Sequence, residues 1–390
     1  MEKYFTTKFN DKILIQQEYE EIHGKESFQN ETKILEEKAE KELPKNAVFS
    51  RFLKNLFEYS IAIDFMKSLN LKTNWKSALD IGGQQGLISR IFTAEKSAQN
   101  ADCVELYDFS KNANEDIVNW CFKTYNLWKM GRKMRLPSGK IRRLNRAYDS
   151  ICENYGYTPN KSSKFWNLDK KTSPKINDYL VKDLYKHEKK YDLITAFLCM
   201  EYFDHTKLFK KIFDMLNDDG TFFFLVNYWW WPVNATKIVG KFPYAVQRLD
   251  KEDFVRYSNE FHEKESGEMI KAYNYFAGGI ERKPTISDYI NEAEMSGLKL
   301  VSYKRFMPTA KTHSKTPITP SALEECEDFN FTEIIENIRN FRKDVSIEDL
   351  KTAFVMGVFK KKKSDTSISN LVKNLQENGT GYYKNTNQKD

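Results

Sequence analysis

The chain of 390 residues carries a net charge of +7, with 40% hydrophobic and 30% charged residues, a composition typical of a globular protein with one large core. No apolar run approaches the roughly 20 residues of a membrane span, and the first twelve residues lack the apolar core of a signal peptide, so we expect a cytoplasmic protein without a membrane partner. The five cysteines form no C-x-x-C pair, and no H-E-x-x-H or Walker A motif occurs, which argues against a disulfide framework and a metal site.

The N-terminal part of the chain is polar. We interpret residues 1–48 as a helical extension, with a charge-rich helical run at Glu31–Glu42. From Val48 to Leu69, apolar residues recur at helix spacing, which predicts a helix that leads into the first strand. The main domain is therefore expected to begin near residue 49.

A glycine-rich turn lies at Ser77–Gly86, S-A-L-D-I-G-G-Q-Q-G. Ala78–Ile81 is typical of the end of a buried strand, and Leu87–Phe92 resumes at helical spacing. Glycines let the backbone approach a ligand, and the free N–H groups of the next helix face it, so this pattern indicates a nucleotide-type site. A second predicted strand, Asp102–Tyr107, ends at Asp108, whose carboxylate is placed to accept hydrogen bonds from ribose hydroxyls.

A long connection follows Asp108. Because a sheet crossover needs one helix and a few loop residues, the surplus, at about residues 127–173, is interpreted as an insertion. Nine Lys and Arg residues lie between Lys123 and Arg146. The stretch is either a solvated helical hairpin that turns at Pro137–Gly139 or a surface that meets an acidic or phosphorylated substrate.

The rest of the chain alternates strands and helices. Tyr191–Phe197 is a continuous apolar run, as expected of a parallel strand buried on both faces. The other predicted strands are Tyr179–Val181, Thr221–Asn227, Leu298–Phe306 and Thr352–Phe359, and the predicted helices are Thr206–Leu216 and Thr285–Ser296. The stretch from Tyr228 to Leu249 is expected to be largely irregular.

Strands that alternate with helices predict an α/β fold: a Rossmann-like, doubly wound and mostly parallel sheet of seven strands, with an antiparallel strand at one edge and helical insertions. We assign residues 49–361 to this domain. Within it, residues 228–284 are expected to form the acceptor or lid region, and residues 308–349 a segment with helical patches. The charged, amide-rich residues 362–390 are predicted to be a disordered tail.

The order of these motifs resembles that of the class I S-adenosylmethionine-dependent methyltransferases. Leu79–Gly86 matches the family's L-D-x-G-x-x-x-G turn, Tyr191–Tyr202 its Y-D-L-I pattern, and Asp219–Gly220 the turn before its fifth strand. A dinucleotide dehydrogenase fits less well, because its G-x-G-x-x-G fingerprint is absent. The resemblance implies an S-adenosylmethionine cofactor contacted by Asp80, Gly82, Gly83, Gln84, Gly86, Asp108, Phe109, Asp183, Leu184 and Phe197.

Two residues depart from the family pattern. Gln84 stands where the family usually has its middle glycine, and Tyr202 stands where a histidine often follows Glu201. If the acceptor is a hydroxyl, a base should lie within hydrogen-bond reach of it. Among His205, Glu201 and Tyr202, which follow the fourth strand, His205 is the favoured base because its ordinary pKa is close to neutrality.

Three consecutive tryptophans lie within Tyr228–Pro232, after the fifth strand. Neighbouring side chains diverge, so we expect at least one to line a cleft or stack on a substrate ring, with packing beneath the following loop as an equal alternative.

The sequence thus predicts an enzyme that methylates a small-molecule or glycan acceptor, at oxygen. No N-P-P-Y motif follows the fourth strand, which disfavours methylation of base nitrogens. A nucleic-acid methyltransferase that binds phosphates through Lys123–Arg146 is a less favoured alternative. A module that keeps the fold without catalysis, suggested by Gln84, is a third.

Overall fold

A seven-stranded sheet organises the chain in the computed structural model, which describes residues 3–16, 42–112, 114–134, 139–154, 174–228, 230, 240–276, 284–306 and 330–361. The strands are β1 (Tyr4–Thr6), β2 (Lys12–Leu14), β3 (Trp75–Ile81), β4 (Ala98–Glu105), β5 (Tyr179–Val181), β6 (Tyr191–Phe197), β7 (Leu216–Asn227), β8 (Leu298–Phe306) and β9 (Phe354–Lys361). The helices are α1 (Lys45–Ser68), α2 (Leu87–Ala94), α3 (Glu115–Lys133), α4 (Gly139–Asn154), α5 (His205–Met215), α6 (Ala245–Arg248), α7 (Lys251–Phe261), α8 (Ser266–Phe276), α9 (Ile286–Met295), α10 (Phe331–Arg339) and α11 (Ile347–Lys351).

The strand order of the large sheet is β5-β4-β3-β6-β7-β9-β8, and only the pairs that include β9 are antiparallel. This confirms the predicted doubly wound, mostly parallel sheet with seven strands. The antiparallel strand lies one place inside the edge, because β8 forms the edge itself. The N–H of Ala353 donates to the carbonyl of Phe306 at 2.9 Å, so β9 begins beside the residue at which β8 ends, and the two strands run antiparallel.

The central strands are apolar throughout because helices cover both faces of the sheet. In β6, Ile194 faces one hydrophobic cluster, whereas Leu193 and Phe197 face the other. The same alternation holds in β7, where Phe222 and Phe223 lie in opposite clusters. The strand period of two therefore divides each apolar run between two cores.

The predicted turn at Asp219–Gly220 lies inside β7, which begins at Leu216 rather than at Thr221. Asp219 adopts a positive φ of 62° there. Other boundaries differ as well: β4 spans Ala98–Glu105 rather than Asp102–Tyr107, α5 begins at His205 rather than at Thr206, and β9 spans Phe354–Lys361 rather than Thr352–Phe359.

The insertion contains two helices. In α3, the indole Nε1 of Trp128 donates to Oδ1 of Asn145 in α4 at 2.9 Å, and its ring lies 6.2 Å from that of Tyr148. This agrees with the helical hairpin. Its turn at residues 135–138 and the remainder of the insertion, residues 155–173, lie outside the described residues.

The helical prediction for the N-terminus is wrong for the part that the structure describes. β1 and β2 form an antiparallel hairpin in which Phe5 and Ile13 are buried. The backbone N–H of Lys8 donates to both carboxylate oxygens of Asp253 in α7, at 3.1 Å each. Most of the Glu31–Glu42 run lies outside the described residues, as does the tail at 362–390.

The region after β7 is more regular than expected. Helices α6, α7 and α8 occupy much of the stretch that follows residue 240, so the irregular stretch ends before Leu249. In the segment at 308–349, the predicted helical patches correspond to α10 and the start of α11, while residues 308–329 are not described. None of the helices in the described ranges has the length and apolarity that a bilayer crossing requires.

Candidate functional site

A cavity of about 860 Å³ opens at the carboxyl edge of the sheet. Its walls come from α1, the turn after β3, the end of β4, the residues after β5 and the residues after β6. This is the edge at which open α/β sheets bind ligands. The lining residues are Arg51, Lys54, Asn55, Glu58, Asp80, Ile81, Gly82, Gly83, Gln84, Gln85, Ile88, Val104, Glu105, Leu106, Tyr107, Phe109, Lys182, Asp183, Leu184, Tyr185, Phe197, Leu198, Cys199, Tyr202, Phe203, Asp204 and Lys207.

The glycine turn between β3 and α2 forms the floor of the cavity. Gly82 has a φ of 68°, and a Cβ atom there would lie 2.7 Å from the Cβ of Cys199. Gly86 has the same φ and precedes α2 directly, but it is not a lining residue. Gln84 also has a positive φ, 48°, at the position of the family's middle glycine. The turn thus keeps its left-handed shape although one glycine is replaced.

Asp80 is one of two deeply buried carboxyl groups of the cavity, with 2% of its surface exposed. Its Oδ1 accepts a hydrogen bond from the hydroxyl of Thr195 at 2.8 Å, whereas Oδ2 is buried with no hydrogen-bond partner. Burial raises the pKa of this carboxyl well above its ordinary value, against the Thr195 hydrogen bond, and the nearby carboxylates of Glu105 and Glu58 raise it further. An unpartnered buried carboxyl oxygen fits the cationic amino group of the predicted cofactor.

Glu105, and not Asp108, presents the carboxylate at the end of β4. One oxygen of Glu105 accepts from the backbone N–H of Gln84 at 2.6 Å and the other from that of Leu106 at 3.3 Å. Burial raises the pKa of Glu105 to about 7, against these two hydrogen bonds. This carboxylate lines the cavity.

Asp108, the carboxylate predicted to contact ribose, lies further along the chain. Asp108 is not a lining residue, and its Oδ1 accepts from both the N–H and the hydroxyl of Ser110, at 3.0 and 2.5 Å. These hydrogen bonds hold its pKa below the ordinary value. The physical reason is the length of β4: the strand stops at Glu105, and the chain has turned before it reaches Asp108.

The apolar side of the cavity contains the predicted residues Phe109, Leu184 and Phe197, which are 5%, 5% and 8% exposed. Asp183 lines the cavity as well. Its Oδ1 accepts from the N–H of Tyr185 at 3.0 Å, and this hydrogen bond caps the short 3-10 helix Leu184–Lys186. Phe109, Asp183, Leu184 and Phe197 therefore all line the same cavity as the glycine turn.

Of the three candidate catalytic residues, Tyr202 and His205 have described side chains, and these lie apart. Tyr202 lines the cavity and is 52% exposed. The backbone of Glu201 lies in the 3-10 turn Met200–Tyr202. His205 is 4% exposed and not a lining residue, and its Nε2 donates to the carbonyl of Met200 at 3.1 Å.

The structure thus places His205, the predicted base, outside the lining of the cavity. Its ring lies 4.7 Å from that of Tyr289 in α9. The carboxylate of Asp204 accepts from the N–H of Lys207 and starts α5 at residue 205, so the helix directs the imidazole into the core.

The tryptophan run contributes no described residue to the cavity. Trp230 is fully buried in the hydrophobic cluster that also holds Tyr228, so core packing is the observed role. Trp229 and Trp231 lie outside the described residues. Tyr228 donates its hydroxyl hydrogen to Asp349 at 2.6 Å and accepts from the N–H of Ile286, which ties β7 to α11 and α9.

A polar face of α1 was not identified from the sequence. Arg51, Lys54, Asn55 and Glu58 all line the cavity, and their spacing places them on one side of the helix. Glu58 is 2% exposed and accepts from the amide of Asn55 at 2.9 Å. The available signal was polar residues at spacings of three and four inside an otherwise apolar helix.

The chain was compared with known protein families, curated proteins and solved structures. The sequence model of one family, described as a methyltransferase domain, matches residues 51–248, about half of the chain, and this range includes every lining residue. None of the curated proteins compared with the chain matches it.

Solved structures resemble parts of the chain. An S-adenosylmethionine-dependent methyltransferase from Mesorhizobium loti is 12% identical, over 76% of this chain and 96% of its own, with a TM-score of 0.35. The cyclopropane synthase MmaA2 from Mycobacterium tuberculosis is 14% identical, over 78% and 83%, with a TM-score of 0.37. Geranyl diphosphate C-methyltransferase from Streptomyces coelicolor, in complex with Mg²⁺, geranyl diphosphate and S-adenosyl-L-homocysteine, is 11% identical, over 78% and 79%, with a TM-score of 0.36.

Proposed function

Because the chain belongs to the class I S-adenosylmethionine-dependent methyltransferases, we propose that it methylates a small-molecule or glycan acceptor at an oxygen atom. The observation that carries the proposal is the cavity of about 860 Å³, which falls in the size range of small-ligand sites. A concave site of this size suits an acceptor that enters beside the cofactor, rather than a polymer that lies on a surface.

The position of the basic insertion supports the same choice. Lys129 of α3 pairs with Glu95 at 3.1 Å, and Glu95 caps the end of α2 just before β4 begins. This end of α3 lies at the amino edge of the sheet, whereas the cavity opens at the carboxyl edge. A nucleic acid held by the basic hairpin would therefore be remote from the methyl donor.

The cavity residues fit the cofactor. We assign Oδ2 of Asp80 to its amino group, the carboxylate of Glu105 to its ribose hydroxyls and Leu184 to its adenine ring. S-adenosylmethionine supplies an electrophilic methyl group when bound, and the chain then has to orient the acceptor and exclude water. The turn at Gly82–Gln84 and the polar face of α1 form two walls of the cavity in which the acceptor would be oriented.

A hydroxyl acceptor needs a base, and His205 is turned away from the cavity. Carboxylates of the lining, Glu58 and Asp204 among them, remain as acceptors for a proton. No N-P-P-Y sequence occurs at Leu198–Tyr202, which supports oxygen over a base nitrogen as the methylated atom.

A transfer assay tests the proposed acceptor class. The full chain and methyl-labelled S-adenosylmethionine would be incubated with metabolite pools, glycans, RNA or DNA, and labelled products would be separated. We expect the label in an ether that is stable to alkali, either in a product of low molecular weight or in a glycan. Label confined to RNA or DNA would overturn the proposal in favour of the nucleic-acid alternative.

Replacing Glu105 with Gln is expected to weaken S-adenosylhomocysteine binding by about tenfold to a hundredfold at pH 8, since the ribose hydroxyls lose a charged acceptor. Because the pKa of Glu105 is about 7, binding to the unchanged protein should tighten as pH rises from 6 to 8, and this component should vanish in the variant. Isothermal titration at several pH values measures both effects. Asp108→Asn is the matched control and should leave affinity unchanged; the opposite pattern would restore Asp108 as the ribose ligand.

Replacing His205 with Ala is expected to lower the free energy of unfolding by about 1–3 kcal/mol, because the variant loses the Met200 hydrogen bond and the packing against Tyr289. The pH profile of methyl transfer should keep its shape. Urea unfolding and the labelled-cofactor assay measure the two quantities. If the pH profile of the unchanged protein has an acidic limb that disappears in the variant, His205 would again be assigned as the base.

A further inference from the structure

The outer face of α3 carries an exposed apolar stripe. Leu127, Met130 and Met134 are 56%, 51% and 60% exposed. Their spacings of three and four residues place them on one side of the helix, together with exposed Lys123. We call these four residues the hairpin stripe. Large apolar side chains concentrated within eight consecutive residues at the end of one helix mark an interaction surface rather than ordinary scattered exposure.

The charge around this stripe is of one sign. Between Ile117 and Tyr148 the sequence contains nine Lys and Arg residues and no Asp or Glu. The buried Lys129 is neutralised by Glu95. Three arginines of α4 are exposed: Arg142, Arg143 and Arg146. No carboxylate of the described residues forms an ion pair with them.

We propose that the hairpin stripe and the α4 arginines dock on the headgroup region of an anionic membrane. An apolar stripe flanked by basic side chains is the pattern of helices that lie in a bilayer interface, where the apolar side chains enter the boundary and the charges meet lipid phosphates. A second copy of the chain is a poor occupant, because its own hairpin brings the same positive charge. The phosphates of a nucleic acid would pair with the arginines, but a nucleic acid has little apolar surface to cover Leu127, Met130 and Met134.

The fold places this surface away from the cavity. Phe49 packs on Trp120 at 5.3 Å and Phe52 on Phe122 at 4.9 Å, so α1 and α3 run side by side from the carboxyl edge. Met130 and Met134, the C-terminal part of the hairpin stripe, follow Lys129, which pairs with Glu95 at the amino edge of the sheet. A protein docked in this way keeps its cavity open to water, and no membrane-crossing helix is involved.

Vesicle co-sedimentation of the full chain tests the proposal. Binding to phosphatidylcholine vesicles that contain phosphatidylglycerol is expected, with little binding to phosphatidylcholine alone and a loss at high salt. Arg142→Glu with Arg143→Glu should weaken binding by at least about tenfold, since each charge near an anionic surface contributes about fivefold. Leu127→Ser with Met130→Ser should weaken it similarly. Met295→Ser removes the most exposed apolar side chain of the described residues, 69% exposed on α9, and should change nothing.

Thermal unfolding and S-adenosylhomocysteine titration of each variant check that the fold and the cavity are intact, and both should match the unchanged protein. Equal binding to neutral and anionic vesicles would overturn the proposal. So would binding of duplex DNA or RNA, but not vesicles, through the same arginines. A dimer in light scattering that dissociates in the Leu127→Ser, Met130→Ser variant would show that the stripe is an interface between copies.

Discussion

Replacing Asp80 with Asn is expected to make the protein more stable and its cofactor binding weaker. The carboxyl is buried with one oxygen unpartnered, and its pKa is well above the ordinary value, so keeping it ionised costs folding free energy. Asn has the same shape without the charge, but it cannot offer an anion to the cofactor's amino group. We expect S-adenosylhomocysteine affinity to fall about tenfold to a hundredfold.

The raised pKa of Asp80 determines how the stability gain of the substitution changes with pH. A carboxyl whose folded pKa is raised costs nothing below its unfolded pKa and destabilises the fold progressively as pH rises above it. The stability gain of Asp80→Asn should therefore be small near pH 4 and grow towards pH 8. Cofactor binding to the unchanged protein should release a proton and tighten with pH, whereas binding to the variant should lose this component.

Urea unfolding across pH and isothermal titration in two buffers of different ionisation enthalpy measure the two effects. Thr195→Val is a useful second variant, because it removes the partner of Oδ1 and leaves the charge. It should lower stability at high pH, the reverse of the Asp80 substitution. If Asp80→Asn bound the ligand with unchanged affinity, the assignment of Oδ2 to the amino group would be refuted.

Replacing Gly82 with Ala is expected to remove detectable cofactor binding and to lower the free energy of unfolding by about 2–4 kcal/mol. A left-handed φ of 68° costs Ala about 1 kcal/mol. The new Cβ would also lie 2.7 Å from the Cβ of Cys199, which is held by a hydrogen bond from its Sγ to the carbonyl of Ile81 at 3.1 Å. Relief of this overlap must move the turn that forms the cavity floor.

Two variants separate the overlap from the backbone conformation. Gly82→Ala combined with Cys199→Gly removes the overlap but keeps the strained φ, so it should recover part of the stability. Gly267→Ala is the control, because nothing lies within 4 Å of its new Cβ on α8. It should leave binding unchanged. Full binding by Gly82→Ala alone would mean that the turn does not form the cofactor site.

The sequence predicted the sheet well where burial on two faces leaves a continuous apolar run. Strand β6 was placed with its observed bounds, and β7 was located, because both faces of these strands are covered. The end of β4 was missed for the opposite reason. Leu106 and Tyr107 continue the strand's apolar character in the sequence, yet Leu106 is 62% exposed and already outside the strand.

The site was predicted where it depends on backbone shape and missed where it depends on side-chain direction. The glycine turn, Leu184 and Phe197 all line the cavity as expected. The polar face of α1 was missed because a helix pattern identifies the buried apolar face and leaves the other to solvent. His205 was expected in the loop before the helix, facing the site. Helix α5 begins at His205 itself, and the helix directs the imidazole into the core.

The attachment of the N-terminal hairpin has a consequence for biosynthesis. Phe5 packs on Tyr257 at 5.6 Å, and the N–H of Gln16 donates to the carbonyl of Lys241 at 2.7 Å, so β1 and β2 bond to residues that follow them by more than two hundred positions. A two-stranded ribbon is at best marginally stable alone. β1 and β2 are therefore anchored only after α7 has been synthesised, and the nascent chain carries their apolar residues uncovered until then.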